Sequence, residues 1–229
     1  DRRTSRGLGD VYKRQSLYSV RWEKNLQNRA LYVWRNHMEV LFIETNVNSN
    51  LLIDDIKQPL ELLIRWLEDA KAAGVDKPDA MNIATIGKEG KPRNRMVLMR
   101  HVTQSEIGFF TNLSSDKSKE IIANPSVSAT LWWPSMERQI RIEGAASPMG
   151  RDLVEDYFKT RPRNSQIAAW ASKQSQSLES MHVLNERFQE AKIRFANDDI
   201  PIPEFWGGYT ISIDRIEFWL GQPYRLHER

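Results

Sequence analysis

The 229-residue chain contains no cysteine. That excludes disulfides, thiolate zinc sites and a cysteine nucleophile, and it fits a reducing compartment, so a cytoplasmic location is the expectation. Long apolar runs are missing too. The longest candidate, Met38 to Ile43, is short and carries Glu39. A membrane span needs ~18 apolar residues, so no membrane partner is expected. The N-terminal residues Asp1 to Gln15 are polar and lack the apolar centre of a secretory signal. There is no G-x-G-x-x-G, which leaves a Rossmann dinucleotide site unsupported. There is no G-x-x-x-x-G-K-[ST] either, since Gly87 and Gly90 have the wrong spacing. No G-x-S-x-G elbow appears. His37, His101, His182 and His227 form no H-E-x-x-H and no paired ligand spacing, so no metal is expected. A large excess of one charge is also lacking. The net charge is +3, with basic residues interspersed among acids, which disfavours a nucleic-acid module.

What is present reads as one α+β domain behind an irregular N-terminus. Hydrophobic residues at 40% and charged residues at 28% are ordinary for a globular protein. Asp1 to Gln15 has no periodicity, and its DVYKRQ stretch resembles the translation of a transposon adaptor. We read 1–15 as a non-native scar and 16–55 as an arm of mixed structure. From 56 the pattern sharpens. Pro59 opens a helix whose Leu60, Leu63, Ile64 and Leu67 share one face, and Gly74 ends it. Short β-rich runs follow at Ala80–Ile86, Arg95–Val102, Gly108–Asn112, Val127–Trp133 and Arg138–Gly144, with a short helix over Ser115–Ala123. Helices are expected at Gly150–Thr160, Ser165–Ser172 and roughly 178–196. The chain then returns to strand at Tyr209–Ile213 and Ile216–Leu220. Strands this closely spaced point to an antiparallel barrel decorated with helices rather than βαβ units.

Basic and amide groups gather near the ends of these strands: Arg95, Arg100, Lys117, Lys119, Arg138, Gln139, Arg161, Arg163, Arg225 and Arg229. Fixed cations, hydroxyls and helix-start amides are what phosphate recognition requires. For any single one of them the plain alternative is a solvated surface charge. The Gly207-Gly208 pair has its own plain reading, a bulge or a close backbone approach. The glycine reading does not account for R-L-H-E-R at 225–229, where a solvated tail would serve as well.

Several separated blocks carry a family resemblance. They are R-M-V-L-M-R at 95–100, F-F-T-N-L at 109–113, E-R-Q-I-R-I-E-G at 137–144 and Y-F-K-T-R-P-R-N-S-Q-I at 157–167. S-K-Q-S at 172–175, W-G-G-Y at 206–209, I-E-F-W at 216–219 and R-L-H-E-R at 225–229 complete the set. In this order, from about residue 56 to the last, they resemble the pyridoxamine 5'-phosphate oxidase family. The resemblance implies an FMN-binding split β-barrel, Greek-key-like, in a homodimer with FMN at the subunit interface. It implies oxidation of pyridoxamine or pyridoxine 5'-phosphate to pyridoxal 5'-phosphate, with oxygen as acceptor and hydrogen peroxide as product.

By position, the resemblance gives FMN to Arg95, Met96, Val97, Leu98, Met99, Arg100, Phe110, Thr111, Lys117, Gln139, Gln174, Ser175, Trp219 and Arg229. The substrate phosphate falls to Arg100, Tyr157, Arg161 and Ser165. Arg225, Leu226 and His227 lie at the reacting end, with Arg225 and His227 in the catalytic roles. The chain departs from the family pattern at four positions. Arg100 stands where Lys is usual, Asp116 where Arg is common, Leu220 for Gln and Glu228 for Asp. The family continues through a further strand beyond the position of Arg229, so a truncated domain with an exposed barrel edge is expected. Two rivals remain: a related FMN oxidase of the phenazine-biosynthesis branch, and a non-catalytic flavin- or pyridoxal-phosphate-binding protein.

Overall fold

A computed structural model describes residues 30–36, 39–45 and 59–229. The stretch read as a scar, 1–15, lies outside the described residues. The chain divides into two units, Asp1–Asp54 and Asp55–Arg229. In the first, strands β1 (Ala30–Asn36) and β2 (Glu39–Thr45) pair antiparallel, with Asn36 opposite Glu39 and Ala30 opposite Thr45.

In the second unit six strands close a barrel: β3 (Ala80–Ile86), β4 (Pro92–Val102), β5 (Glu106–Asn112), β6 (Ser126–Trp133), β7 (Arg138–Pro148) and β8 (Trp206–Leu220). Their order is β3-β4-β5-β8-β7-β6, and β3 pairs back with β6. Each pairing is antiparallel. The last strand inserts between β5 and β7, a Greek-key crossover. Strict alternation of buried and less buried residues in β3 and β6 sends one face of each strand inward. Met81, Ile83, Ile107, Phe109, Leu131, Ile140, Ile142 and Ile211 fill the interior.

Three readings of the strands change. The second strand of the first barrel hairpin starts at Pro92 rather than Arg95. The final two strands are one, because the break near Asp214 is a bulge: Glu143 pairs with Arg215 and Gly144 with Ile213. At that bend a Cβ on Gly144 would lie 2.1 Å from the Ser212 carbonyl oxygen, so the strands approach this closely only over glycine. Gly208 marks close approach rather than a bulge, since a Cβ there would meet the Phe109 carbonyl at 2.8 Å. Residues 213–220 of β8 pair with β7 alone, apart from the bridge from Leu220 to Glu228.

Helix α1 (Pro59–Ala72) buries Leu60, Leu62, Leu63, Trp66, Leu67 and Ala70. Trp66, not Ile64, takes the centre of that face. Its ring sits edge-on to Phe218 at 5.3 Å and to Trp133 at 6.4 Å. Gly74, at φ +72°, ends the helix. Helix α2 (Asp116–Ala123) follows β5. Helices α3 (Arg151–Thr160), α4 (Arg163–Ala171) and α5 (Met181–Arg194) form a second apolar cluster. Met149, Val154, Phe158, Ile167, Ala191, Phe195 and Ile200 close on Trp206 at the start of β8. Burying a side chain such as Phe158 contributes ~1.5–3 kcal/mol, and this fixes α3 against the barrel.

Candidate functional site

A cavity of 880 Å³ opens between β4, β5, the start of α2, and α3 with the end of α4. Of the residues expected at a site, Arg95, Met96, Val97, Leu98, Arg100, Phe110, Thr111, Lys117, Tyr157, Arg161, Gln174 and Ser175 line it. Arg93 and Asp116 line it as well. Cations therefore outnumber carboxylates on its wall.

Lys117 reaches the cavity from the first turn of α2 and is buried. Its Nζ donates to Gln174 Oε1 at 2.8 Å and to Thr111 Oγ1 and Ser115 Oγ at 3.2 Å. All three partners are neutral. Burial, reinforced by the charge of Arg95, pushes the ammonium down to about 8, against the opposing pull of Asp116 and Glu120. Beside it, Arg95 Nη2 lies 2.9 Å from Glu120 Oε2 and its Nη1 donates to Thr85 Oγ1. Glu120 Oε1 accepts from Arg93 Nη1 at 3.0 Å. Burial alone would push the Glu120 carboxyl up. Hydrogen bonds from Thr85, Arg93 and Arg95 outweigh it and hold the group below its ordinary range. Asp116 is met by Arg93 at 3.4 Å.

Elsewhere on the wall the aromatics stack. Phe110 lies 3.9 Å from Tyr157 and 5.5 Å from Trp206, centroid to centroid and nearly parallel. The Arg161 guanidinium sits 4.8 Å over Trp206 and 5.7 Å from Phe158. Burial pushes its pKa down from the ordinary arginine value. Its Nη1 is buried without a hydrogen-bond partner among the described residues. Arg100 Nε lies 3.0 Å from Asp79 Oδ2. That contact is an ion pair whose N–H is not aimed at the oxygen, which has no hydrogen bond of its own.

The remaining expected residues lie elsewhere. Met99 points into the barrel and is buried, because alternation along β4 turns it away from its neighbours. Ser165 stands in the first turn of α4, where its N–H bonds the Pro162 carbonyl. Gln139, Trp219, Arg225, Leu226, His227 and Arg229 belong to the far part of β7 and β8 and the turn after it. Gln139 pairs with Trp219 across the sheet. The Trp219 ring contacts Trp132 at 5.8 Å and His227 at 4.7 Å. His227 Nδ1 accepts from the Gln222 N–H at 3.1 Å, so a neutral His227 carries its proton on Nε2. Tyr224 and Arg225 both adopt positive φ, 60° and 63°. Thr85, Arg93, Glu120 and Trp206 had no assigned role from the sequence. Only Trp206, in the W-G-G-Y block, carried any signal there.

Residues 67–195 match the family described as pyridoxamine 5'-phosphate oxidase. The chain belongs to this family. Residues 206–229 match a second description, pyridoxine 5'-phosphate oxidase C-terminal dimerisation region. A pyridoxine/pyridoxamine 5'-phosphate oxidase of Teredinibacter turnerae is 44% identical over 176 residues, covering 77% of this chain and 83% of that protein. Its counterpart in Leptospira biflexa is 41% identical over 193 residues, covering 83% and 91%. Among solved structures, PhzG from Burkholderia lata 383, in complex with tetrahydrophenazine-1-carboxylic acid, has a TM-score of 0.72 at 28% identity. It covers 77% of this chain and 89% of that one. For the oxidase family, then, the cavity between β4, β5 and α2–α4 is the candidate site. No helix among the described residues is long and apolar enough to cross a membrane.

Proposed function

We propose that this chain is an FMN-dependent oxidase that converts pyridoxamine 5'-phosphate or pyridoxine 5'-phosphate to pyridoxal 5'-phosphate, consuming oxygen and giving hydrogen peroxide. One observation carries the reading: the cavity wall holds the buried Lys117 and the half-buried Arg161, whose Nη1 is itself buried, and neither has an anionic hydrogen-bond partner among the described residues. A buried cation is unfavourable until an anion meets it, and phosphate oxygens do so with charge-assisted hydrogen bonds. Two such positions suit a phosphorylated cofactor and a phosphorylated substrate.

The residues present fit FMN. Lys117, Arg95, Thr111, Gln174 and Ser175 supply donors for its phosphate and polar edge. The 95–100 strand and Phe110 supply a wall for its ring. FMN, when bound, supplies the hydride acceptor and passes the electrons to oxygen. Arg161, Arg100 and Tyr157 would hold the substrate phosphate, orienting the carbon that loses hydrogen, while Ser165 does not line this cavity. Gln139, Trp219, Arg229, Arg225, Leu226 and His227 lie outside the cavity of one chain. A homodimer that sets the Trp219 cluster of one subunit against the cavity of the other would unite the two sets, as a dimerisation region over 206–229 supports. There His227, with Nδ1 already engaged, would offer only Nε2 to the substrate. Arg225 would fix the reacting end.

The test is photometric. Holoprotein with FMN is made anaerobic and pyridoxamine 5'-phosphate is added. Bleaching of the flavin absorbance, reversed by air with pyridoxal 5'-phosphate formed, is the expected result. Bound flavin that never bleaches with either vitamin B6 phosphate would refute it. That outcome would favour a phenazine-type oxidase, to which the PhzG likeness points, or a non-catalytic binder.

A further inference from the structure

The carboxylate of Glu120 is the least expected charge near the cavity. It lies on α2, one turn beyond Lys117, and is buried. It does not line the cavity, yet its two oxygens tie three strand side chains together. Oε2 accepts from Thr85 on β3 at 2.5 Å and from Arg95 on β4 at 2.9 Å. Oε1 accepts from Arg93 on β4 at 3.0 Å. Arg95 is gripped twice, because its Nη1 also donates to the same Thr85 hydroxyl. A long arginine loses much rotamer freedom when held this way, and its remaining face is presented to the cavity without further ordering.

Electrostatics alone argues against a carboxylate here. An anion behind Arg95 opposes the binding of phosphate in front of it. Asp116 adds a second opposing charge at the mouth. Arg93 answers both, bridging Asp116 at 3.4 Å and Glu120 at 3.0 Å. The charges of Glu120 and Asp116 are thus held by Arg93 and Arg95, and what remains of Glu120 is its geometry.

We propose that Glu120 is a positioning residue that aims Arg95 at the phosphate of the bound cofactor. This rests on the FMN reading above. Glu120→Asp tests it, because the substitution keeps the charge and withdraws the carboxylate by one methylene. FMN affinity is read by quenching of flavin fluorescence on the apoprotein, with circular dichroism confirming the fold. Glu120→Asp is expected to weaken FMN binding about tenfold, the order expected for a charge-assisted hydrogen bond put out of line. In an Arg95→Ala background the same substitution is expected to change affinity less than about twofold, since its effect passes through Arg95. Wild-type affinity in Glu120→Asp, or an equal loss in both backgrounds, overturns the proposal. If Glu120→Asp does not fold, Glu120→Gln, which keeps the volume, enters the same cycle with the same two readings. A wild-type protein that binds no FMN overturns the cofactor reading as well; additive losses in a protein that binds FMN overturn only this inference.

Discussion

Removing the charge of Lys117 should make the apoprotein more stable while weakening its cofactor site. Folding buries this ammonium where its three hydrogen-bond partners are all neutral, and its pKa falls from 10.5 to about 8. At 1.36 kcal/mol per unit that is about 3 kcal/mol of stability lost at neutral pH. In Lys117→Met the burden is lifted. The acceptors left behind retain other partners, since Thr111 still donates to Gln174 and Ser115 pairs with Ser118. A net gain of about 1–3 kcal/mol is expected at pH 7. The sign with pH follows from the depressed pKa. Below about 8 both states are protonated and the penalty is constant. Between about 8 and 10.5 the folded state gives up its proton while the unfolded state keeps it, so wild-type stability rises relative to the variant. Above 10.5 the penalty is gone. Urea unfolding of both apoproteins from pH 7 to 10 measures the difference, in which other titrating groups cancel. A gap that stays constant across that range would refute the account of Lys117 as a desolvated cation.

Four further outcomes follow from the same structure. FMN affinity in wild type should fall as pH rises above about 8, where Lys117 loses its proton, and Lys117→Met should lack that limb in fluorescence titrations. Arg161→Met removes the buried guanidinium nitrogen that has no partner among the described residues. It should leave FMN binding unchanged and raise KM for pyridoxamine 5'-phosphate about 30-fold, read from steady-state rates. Arg225→Ala should retain FMN while losing most turnover, and unchanged kcat would remove Arg225 from the catalytic set. Gly144→Ala places a methyl against the Ser212 carbonyl and should cost more than about 2 kcal/mol in urea unfolding, with no direct effect on the cavity.

Local pattern was enough for the barrel class and for most elements. Short β-rich runs marked β3 and β6, and proline and glycine set the ends of α1. Ordered motif blocks brought out Arg95, Tyr157 and Arg161, because each block carries its own spacing, whereas Lys117 falls outside the blocks and stood out as a basic residue just after the strand that holds Thr111. The errors share one cause. Ile64 and Trp66 both fit the buried side of α1, and only the rings of Trp133 and Phe218 select the tryptophan. The join of two short strands into β8 depends on a bulge opposite Gly144, a register between distant segments that no local pattern encodes.

By itself, then, the sequence set the expected class of chemistry: it has no thiol, no H-E-x-x-H and no serine elbow, and it places cations near strand ends of the kind phosphate recognition uses. Tertiary structure decided which of those cations are solvated and which are buried. Lys117 and Arg161 are the phosphate candidates because folding buries the Lys117 ammonium and the Nη1 of the half-buried Arg161 and, among the described residues, gives neither a carboxylate contact in return. Arg93 is already engaged by Asp116 and Glu120. The same folding separates the Trp219 cluster from the cavity within one chain. Desolvation and long-range pairing depend on the whole packed arrangement, and that is why residue type and spacing could name the groups but not assign their charges to partners.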